Sequence, residues 1–419
     1  MVIRDFASVP FGDLPMRARH LCALALSVAL IPLAAPGVAG ATGYSDAFFR
    51  PAPTGEPGDV LNARKEALPH FPGSEVDQLV FRSTDSHGEP TTGAATLIRP
   101  PGMRPDAPIF TYDHFINSLA ADCQPSAAFR NGNPEAQLVG ASMSITNLAL
   151  ARGWAVLLPD HEGPDAAYGA NIQGGRITLD AIRAATDAKY RTGHSPAAVV
   201  GYSGGSGPAY FAASEQPHYA PDVNLVGAAM GGLPADYRAM IEFGMRGPGP
   251  HPGAAVATIA AVGLSREYPE IELDGKLNDG GRAFARSIEG ACTQSLLGAG
   301  GQIGNLKQVS DLPKDVLLDD PAVREVMARE SPVNAPDPQV PLHFWQSPND
   351  GLMPYEPVRR VAGQACAAGT PTEFSEAARA DHLTNAVAGI PAVLDWAGGR
   401  FAGQPAPSNC GASTNPWGS

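Results

Sequence analysis

Five residues, Gly201-Tyr202-Ser203-Gly204-Gly205, constrain this chain more than any other stretch. They read G-x-S-x-G, and the apolar run Ala197-Ala198-Val199-Val200 leads straight into them. The small-residue stretch Gly207-Pro208-Ala209-Tyr210-Phe211-Ala212-Ala213 follows and is able to open a helix. A strand, a tight turn and a helix in that order put the serine at the apex of a strained turn, with its hydroxyl presented outward. Glycines two before and two after it leave room where any Cβ would strike the neighbouring strand or helix. The same turn aims the next backbone N–H, that of Gly204, at the space in front of the hydroxyl.

The rest of the chain fits an α/β reading. Val76 to Val80 and Ala94 to Ile98 read as strands, with Ser86-His87-Gly88 as a turn between them. Pro108 to Tyr112, Trp154 to Asp160, Asn224 to Met230 and Pro341 to Trp345 read as further strands. Helical spacing runs through Ser142 to Arg152, and through Gly174 to Lys189 with Ile177, Ala181, Ile182 and Ala185 on one face. Strands alternating with helices predict a mostly parallel, doubly wound sheet. Residues 42–75, rich in proline and glycine, read as an arm wrapped over the surface.

The alternation stops between about Leu233 and Val340. That span holds the small apolar stretch Ala254 to Leu264, then Arg282 to Cys292, the loose Gly298-Ala299-Gly300-Gly301, and a charged run from Lys314 to Glu330. Its glycines do not fit G-x-G-x-x-G and no strand precedes them, which excludes a dinucleotide site. A helical insertion between two sheet strands remains, of the kind that covers an active site as a lid. The expected division is a signal peptide at 1–41, a core segment at 42–232, the helical lid or cap at 233–340, and the rest of the core at 341–419.

The leader carries export features. Met16-Arg17-Ala18-Arg19-His20 is basic, Leu21 to Leu33 is apolar but short and broken by Pro32, and Ala39-Gly40-Ala41 has the A-x-A form of a cleavage site. This predicts a mature chain starting near Thr42, with Met1 or Met16 as the translation start. The apolar stretch is too short to span a bilayer comfortably, and no later stretch is long and apolar enough. Formal charge is −13 with no basic cluster, so no nucleic-acid partner is expected. Of five cysteines, Cys22 leaves with the signal. Cys123, Cys292, Cys366 and Cys410 remain, an even number in an exported chain, which predicts two disulfides in one of three connectivities. No C-x-x-C or His/Cys cluster points to a metal, and no cofactor is expected.

A serine hydroxyl needs a base within hydrogen-bond reach, and the base needs a carboxylate to fix its tautomer. On an elbow of this kind the chain order is serine, acid, histidine. The histidines beyond Ser203 are His218, His251, His343 and His382. Asp350 lies in Gln346-Ser347-Pro348-Asn349-Asp350-Gly351, a loop directly after the late strand, at the carboxyl end of a sheet strand where such sites form. Only His382 lies beyond it. His343 reads as a strand residue, and His218 and His251 as loop residues. Asp381, adjacent to His382, is poorly placed to be its acid and reads instead as a helix cap.

With these residues in place the chain resembles the secretory lipases typified by lipase A of Candida antarctica, from about Ser45 to Gly411. The marks are Pro57-Gly58-Asp59-Val60-Leu61, Arg82-Ser83-Thr84-Asp85-Ser86, Phe110-Thr111-Tyr112, Ala121-Asp122-Cys123, Asp160-His161-Glu162-Gly163, the Ser203 pentapeptide, and Asp381-His382-Leu383-Thr384. The resemblance implies an α/β-hydrolase fold with Ser203 as nucleophile, Asp350 as acid and His382 as base. It implies oxyanion donors at Gly204 and at position 117, where Asn117 replaces the family's acidic residue. It also implies the pairings Cys123–Cys292 and Cys366–Cys410. Asp160-His161-Glu162 reads as structural support of the site and not as metal ligands.

The expectation is an exported serine ester hydrolase that acts on triacylglycerols or related lipid esters, with transient contact at a lipid–water interface. Two alternatives stand beside it. One is a carboxylesterase for short, dissolved esters; the other is a binding protein that keeps an inactive hydrolase fold.

Overall fold

The computed structural model describes residues 43–115, 118–130, 136–244, 246, 252–293, 295–296 and 305–411. The leader at 1–41, Asn117, His251 and Gly298 to Gly301 lie outside the described residues.

Nine strands among the described residues form one sheet. In chain order they are β1 (Val60–Glu66), β2 (Glu75–Thr84), β3 (Pro90–Arg99), β4 (Ile109–Asp113), β5 (Ala155–Pro159), β6 (Ala197–Tyr202), β7 (Leu225–Gly231), β8 (Leu342–Gln346) and β9 (Thr372–Glu376). The spatial order is β1-β2-β3-β5-β4-β6-β7-β8-β9. The ladders joining β1, β2, β3 and β5 are antiparallel, and all those from β5 through β4 to β9 are parallel.

Helices cover both faces, which is why the central strands are buried at nearly every position and mostly apolar rather than alternating. The helices before Ser203 are α1 (Pro125–Ala128), α2 (Ala136–Ala151) and α3 (Asn171–Ala185), and α4 (Ser206–Tyr219) follows it. Successive strand residues point to opposite faces. Ile109, Leu157 and Val199 pack with Ile177 and Ile182 of α3 and with Tyr210 and Phe211 of α4. Phe110, Leu158 and Val200 pack on the other face with Ile145 and Ala149 of α2.

Between β7 and β8 the chain is helical: α5 (Tyr237–Gly244), α6 (Pro252–Glu267), α7 (Leu273–Lys276), α8 (Asp279–Ile288), α9 (Lys314–Leu318) and α10 (Pro321–Arg329). These helices bury their own apolar cluster, including Met240, Ile259, Leu264, Ile288, Val326 and Met327, which also takes in Leu119, Tyr168 and Met353 from outside the segment. A disulfide between Cys123 and Cys292, 169 residues apart, fastens the segment to the turn before α1. After β8 come α11 (Tyr355–Ala367), α12 (His382–Ala388) and α13 (Ile390–Phe401). The second disulfide joins Cys366 on α11 to Cys410.

Three details correct the sequence reading. The stretch 42–75 is not only an arm: it contains β1, which pairs antiparallel with β2. Its residues are half-exposed or exposed, as on an edge strand with one open side, and so carry no apolar run. Strand β9 was not expected either, because Thr372-Glu373-Phe374-Ser375-Glu376 offers one large apolar residue. His218 lies in the last turn of α4 and not in a loop. Among the described residues no helix is long and apolar enough to cross a membrane.

Candidate active site

The carboxyl ends of the parallel strands bring three distant residues together. Ser203 begins a short 3-10 turn between β6 and α4, with φ at 51°, the left-handed region a serine rarely adopts. The two glycines around it make that turn possible. A Cβ on Gly201 would lie 2.2 Å from the Gly205 carbonyl oxygen, and one on Gly205 would lie 2.0 Å from the Asp113 carbonyl oxygen. Both obstacles are backbone, which cannot swing away.

Asp350 follows β8 by four residues. Its Oδ1 accepts the backbone N–H groups of Leu352 and Met353, each at 2.9 Å, and Gln346 Nε2 donates to Oδ2 at 3.2 Å. The turn chemistry of Asn-Asp-Gly is therefore present as well, and it aims the carboxylate. His382 is the first residue of α12. Asp381 Oδ1 accepts the Thr384 N–H at 2.7 Å and caps that helix, as its sequence position implied.

His382 Nδ1 lies 2.7 Å from Asp350 Oδ2, and Nε2 lies 2.8 Å from Ser203 Oγ. With Nδ1–H donating its hydrogen bond to the carboxylate, Nε2 is the acceptor facing the hydroxyl. The three side chains thus form one continuous chain of hydrogen bonds, and all three residues are buried, Ser203 at 6% exposure. Gly232, with φ at +57°, clears space for the ring: a Cβ there would stand 2.8 Å from His382 Cε1. His343 is in a different environment, with Nδ1 at 2.9 Å from Glu373 Oε2 between β8 and β9.

Tyr202 and Gln346 had no signal in the sequence. The Tyr202 hydroxyl donates to the His382 carbonyl at 2.5 Å and accepts from Asn385 Nδ2 at 3.3 Å. Its variable place inside G-x-S-x-G says nothing of a partner 180 residues away.

Gly204 sits in the turn directly after Ser203 and is buried. Asn117 falls outside the described residues, while its neighbour Ser118 is fully buried. Asp160, His161 and Glu162 are also buried, beneath the loop that follows β4. Burial pushes the Asp160 carboxyl up to about 7 and the Glu162 carboxyl up to about 8, and holds His161 down to about 4. No group of His, Cys, Asp or Glu among the described residues is arranged to hold a metal ion.

A sequence profile of the family described as secretory lipase matches residues 130–409. The chain belongs to the secretory lipase family. It is 31% identical over 400 residues to Lipase 6 of Candida albicans, covering 88% of this chain and 84% of that relative. The crystal structure of Candida antarctica lipase A is similar with a TM-score of 0.81 at 28% identity, over 89% of each chain. A protein of Mycobacterium tuberculosis named as a probable inactive lipase is 29% identical, covering 83% of this chain and 79% of its own. The fold is the α/β-hydrolase fold, and membership of a lipase family supports an ester hydrolase.

Proposed function

We propose that this secretory lipase is an exported serine hydrolase of lipid esters, triacylglycerols foremost, and that Ser203, His382 and Asp350 carry its chemistry. The observation behind the reading is the unbroken contact from Ser203 Oγ to His382 Nε2 and from Nδ1 to Asp350, at 2.8 and 2.7 Å.

In this mechanism His382 takes the hydroxyl proton as Ser203 attacks the ester carbonyl. Asp350 stabilises the imidazolium that results. The Gly204 N–H and the Asn117 position stabilise the tetrahedral oxyanion, where a single donor is worth about 100- to 1000-fold in rate. His382 then protonates the leaving alcohol, and water, deprotonated by the same imidazole, releases the acyl group. No step calls for a metal or an organic cofactor.

Residues 233–340 act as the lid. Their apolar interior carries a cavity of about 150 Å³ lined by Ala257, Ala261, Leu273, Leu318, Val326 and Met327 among others, and none of Ser203, Asp350 and His382 lines it. Residues 1–41 direct export and are removed in its course, and two disulfides suit an oxidising compartment.

The test is turnover of p-nitrophenyl esters and of an emulsified triglyceride by wild type and Ser203→Ala. The variant loses at least about 10,000-fold in kcat with its unfolding temperature nearly unchanged. Full activity in that variant rejects the nucleophile. Activity confined to short dissolved esters makes the chain a carboxylesterase, and an inert wild type makes it the inactive-fold alternative.

A further inference from the structure

The run Asp160-His161-Glu162-Gly163 follows β5; His161, Glu162 and Gly163 hold points on the loop between β4 and α1, and Asp160 holds α1 itself. His161 Nε2–H donates to the His114 carbonyl at 2.7 Å. That carbonyl lies against the nucleophile turn, 2.8 Å from where a Cβ on Gly205 would be. Asp160 Oδ1 accepts the Ser126 N–H at 2.9 Å, and the Gly163 carbonyl accepts from Gln124 Nε2 at 2.8 Å. Glu162 grips the middle. Its Oε1 accepts the Ser118 N–H at 3.1 Å, and its Oε2 pairs with the Ser118 hydroxyl at 2.6 Å.

We propose that Glu162, acting through Ser118, is a positioning residue that holds the loop after β4 in register with Ser203 and so sets oxyanion stabilisation. The inference rests on the proposed esterase chemistry, in which residue 117, next to Ser118, donates to the oxyanion. Glu162 is 2% exposed and Ser118 is fully buried, so water does not replace the contact when the carboxyl is removed. The segment between β7 and β8 also holds this loop, at Leu119. Arg266 of α6 donates to the Leu119 carbonyl at 2.9 Å, and the Leu119 N–H donates to the Ala291 carbonyl at 3.0 Å. Ser118 and Leu119 are therefore held by a core carboxyl and by that segment. A neutral carboxyl at 162 keeps both bonds: Oε1 still accepts the N–H, Oε2–H donates to Ser118 Oγ, and the serine proton turns to the Ala120 carbonyl at 3.3 Å. Glutamine has the same shape and the same donor and acceptor.

The experiment compares wild type, Glu162→Ala, Glu162→Gln and Ser118→Ala. It reads kcat and KM on p-nitrophenyl butyrate, the inhibition constant of butaneboronic acid, and unfolding temperature. Glu162→Ala loses about 30-fold or more in kcat with KM within about two-fold, and the tetrahedral boronate weakens in proportion. Glu162→Gln stays within about five-fold of wild type. A folded Glu162→Ala with kcat within three-fold of wild type overturns the proposal, as does a loss confined to KM. If Glu162→Ala does not fold, Ser118→Ala decides: a kcat loss of about three-fold or more with KM unchanged supports it, and wild-type kcat overturns it. Loss of the underlying chemistry is seen separately, because then wild type is inert or Ser203→Ala is as active as wild type. With wild type active and Ser203→Ala dead, an unaffected Glu162→Ala rejects this inference alone.

Discussion

The Tyr202 hydroxyl donates to the His382 carbonyl at 2.5 Å, so the residue before the candidate nucleophile holds the residue that faces it. The Tyr202 ring also lies 5.2 Å from the imidazole and 5.6 Å from Trp345, centroid to centroid. β6 and the start of α12 are thereby fixed to one another, and with them the separation of Ser203 from His382.

Replacing Tyr202 with phenylalanine keeps the ring packing and removes the bond. It leaves the His382 carbonyl and Asn385 Nδ2 short of a partner in a buried place, a cost of about 1–3 kcal/mol in stability. The imidazole then loses its tether, and kcat falls roughly ten-fold with KM unchanged. Steady-state kinetics beside a urea melt checks both, and an unchanged kcat removes Tyr202 from the site.

Gly205→Ala tests the turn that carries Ser203. Its new methyl stands 2.0 Å from the Asp113 carbonyl oxygen and 2.8 Å from that of His114, both backbone atoms of the adjoining strand end and loop. Relief requires moving β4 away from β6. The expected cost is about 3 kcal/mol or more, with loss of ester turnover even where folded protein is recovered. A variant with wild-type unfolding temperature contradicts the geometry of the turn.

Glu330 makes stability depend on pH. It is fully buried, accepting from Tyr268 and, at 2.9 Å, from the Ile172 N–H. Burial pushes its carboxyl up to about 7 from an ordinary value of 4.5, against the pull of those hydrogen bonds. Below about pH 4.5 the group is protonated in both folded and unfolded chains. As pH rises through 4.5 the unfolded chain releases the proton while the folded chain keeps it to about 7, so stability is lost across that window. Relative to Glu330→Gln, wild type loses about 3 kcal/mol between pH 4.5 and 7 and little more above it. Denaturant melts of the pair at several pH values read this directly, and a difference that stays constant with pH refutes it.

The sequence was most legible where the physics was local. β4 to β8 are buried on both faces, so each is a short apolar run that stands out between turns. β1 and β9 are edge strands whose half-wet sides carry Asn62, Arg64, Lys65, Glu373 and Glu376, and composition hides them. Ser203 announced itself by the backbone strain that its flanking glycines permit. Asp350 and His382 followed from chain order and from their places after a strand and at a helix start. The roles of Tyr202 and Gln346 arise from contacts that only the assembled sheet creates, and no spacing encodes them. The residues alone leave three disulfide connectivities open; the family resemblance implies Cys123–Cys292, and the fold makes that bond by bringing the segment beyond β7 against Cys123.

The central claim is that Ser203 is made nucleophilic by His382. The most direct measurement is labelling with a fluorophosphonate at neutral pH, followed by peptide mass mapping of wild type and of His382→Ala. The account predicts one adduct, on Ser203, formed rapidly in wild type and slowed by orders of magnitude in the variant. An unlabelled wild type, an adduct on another residue, or equal labelling rates in the two proteins would contradict it.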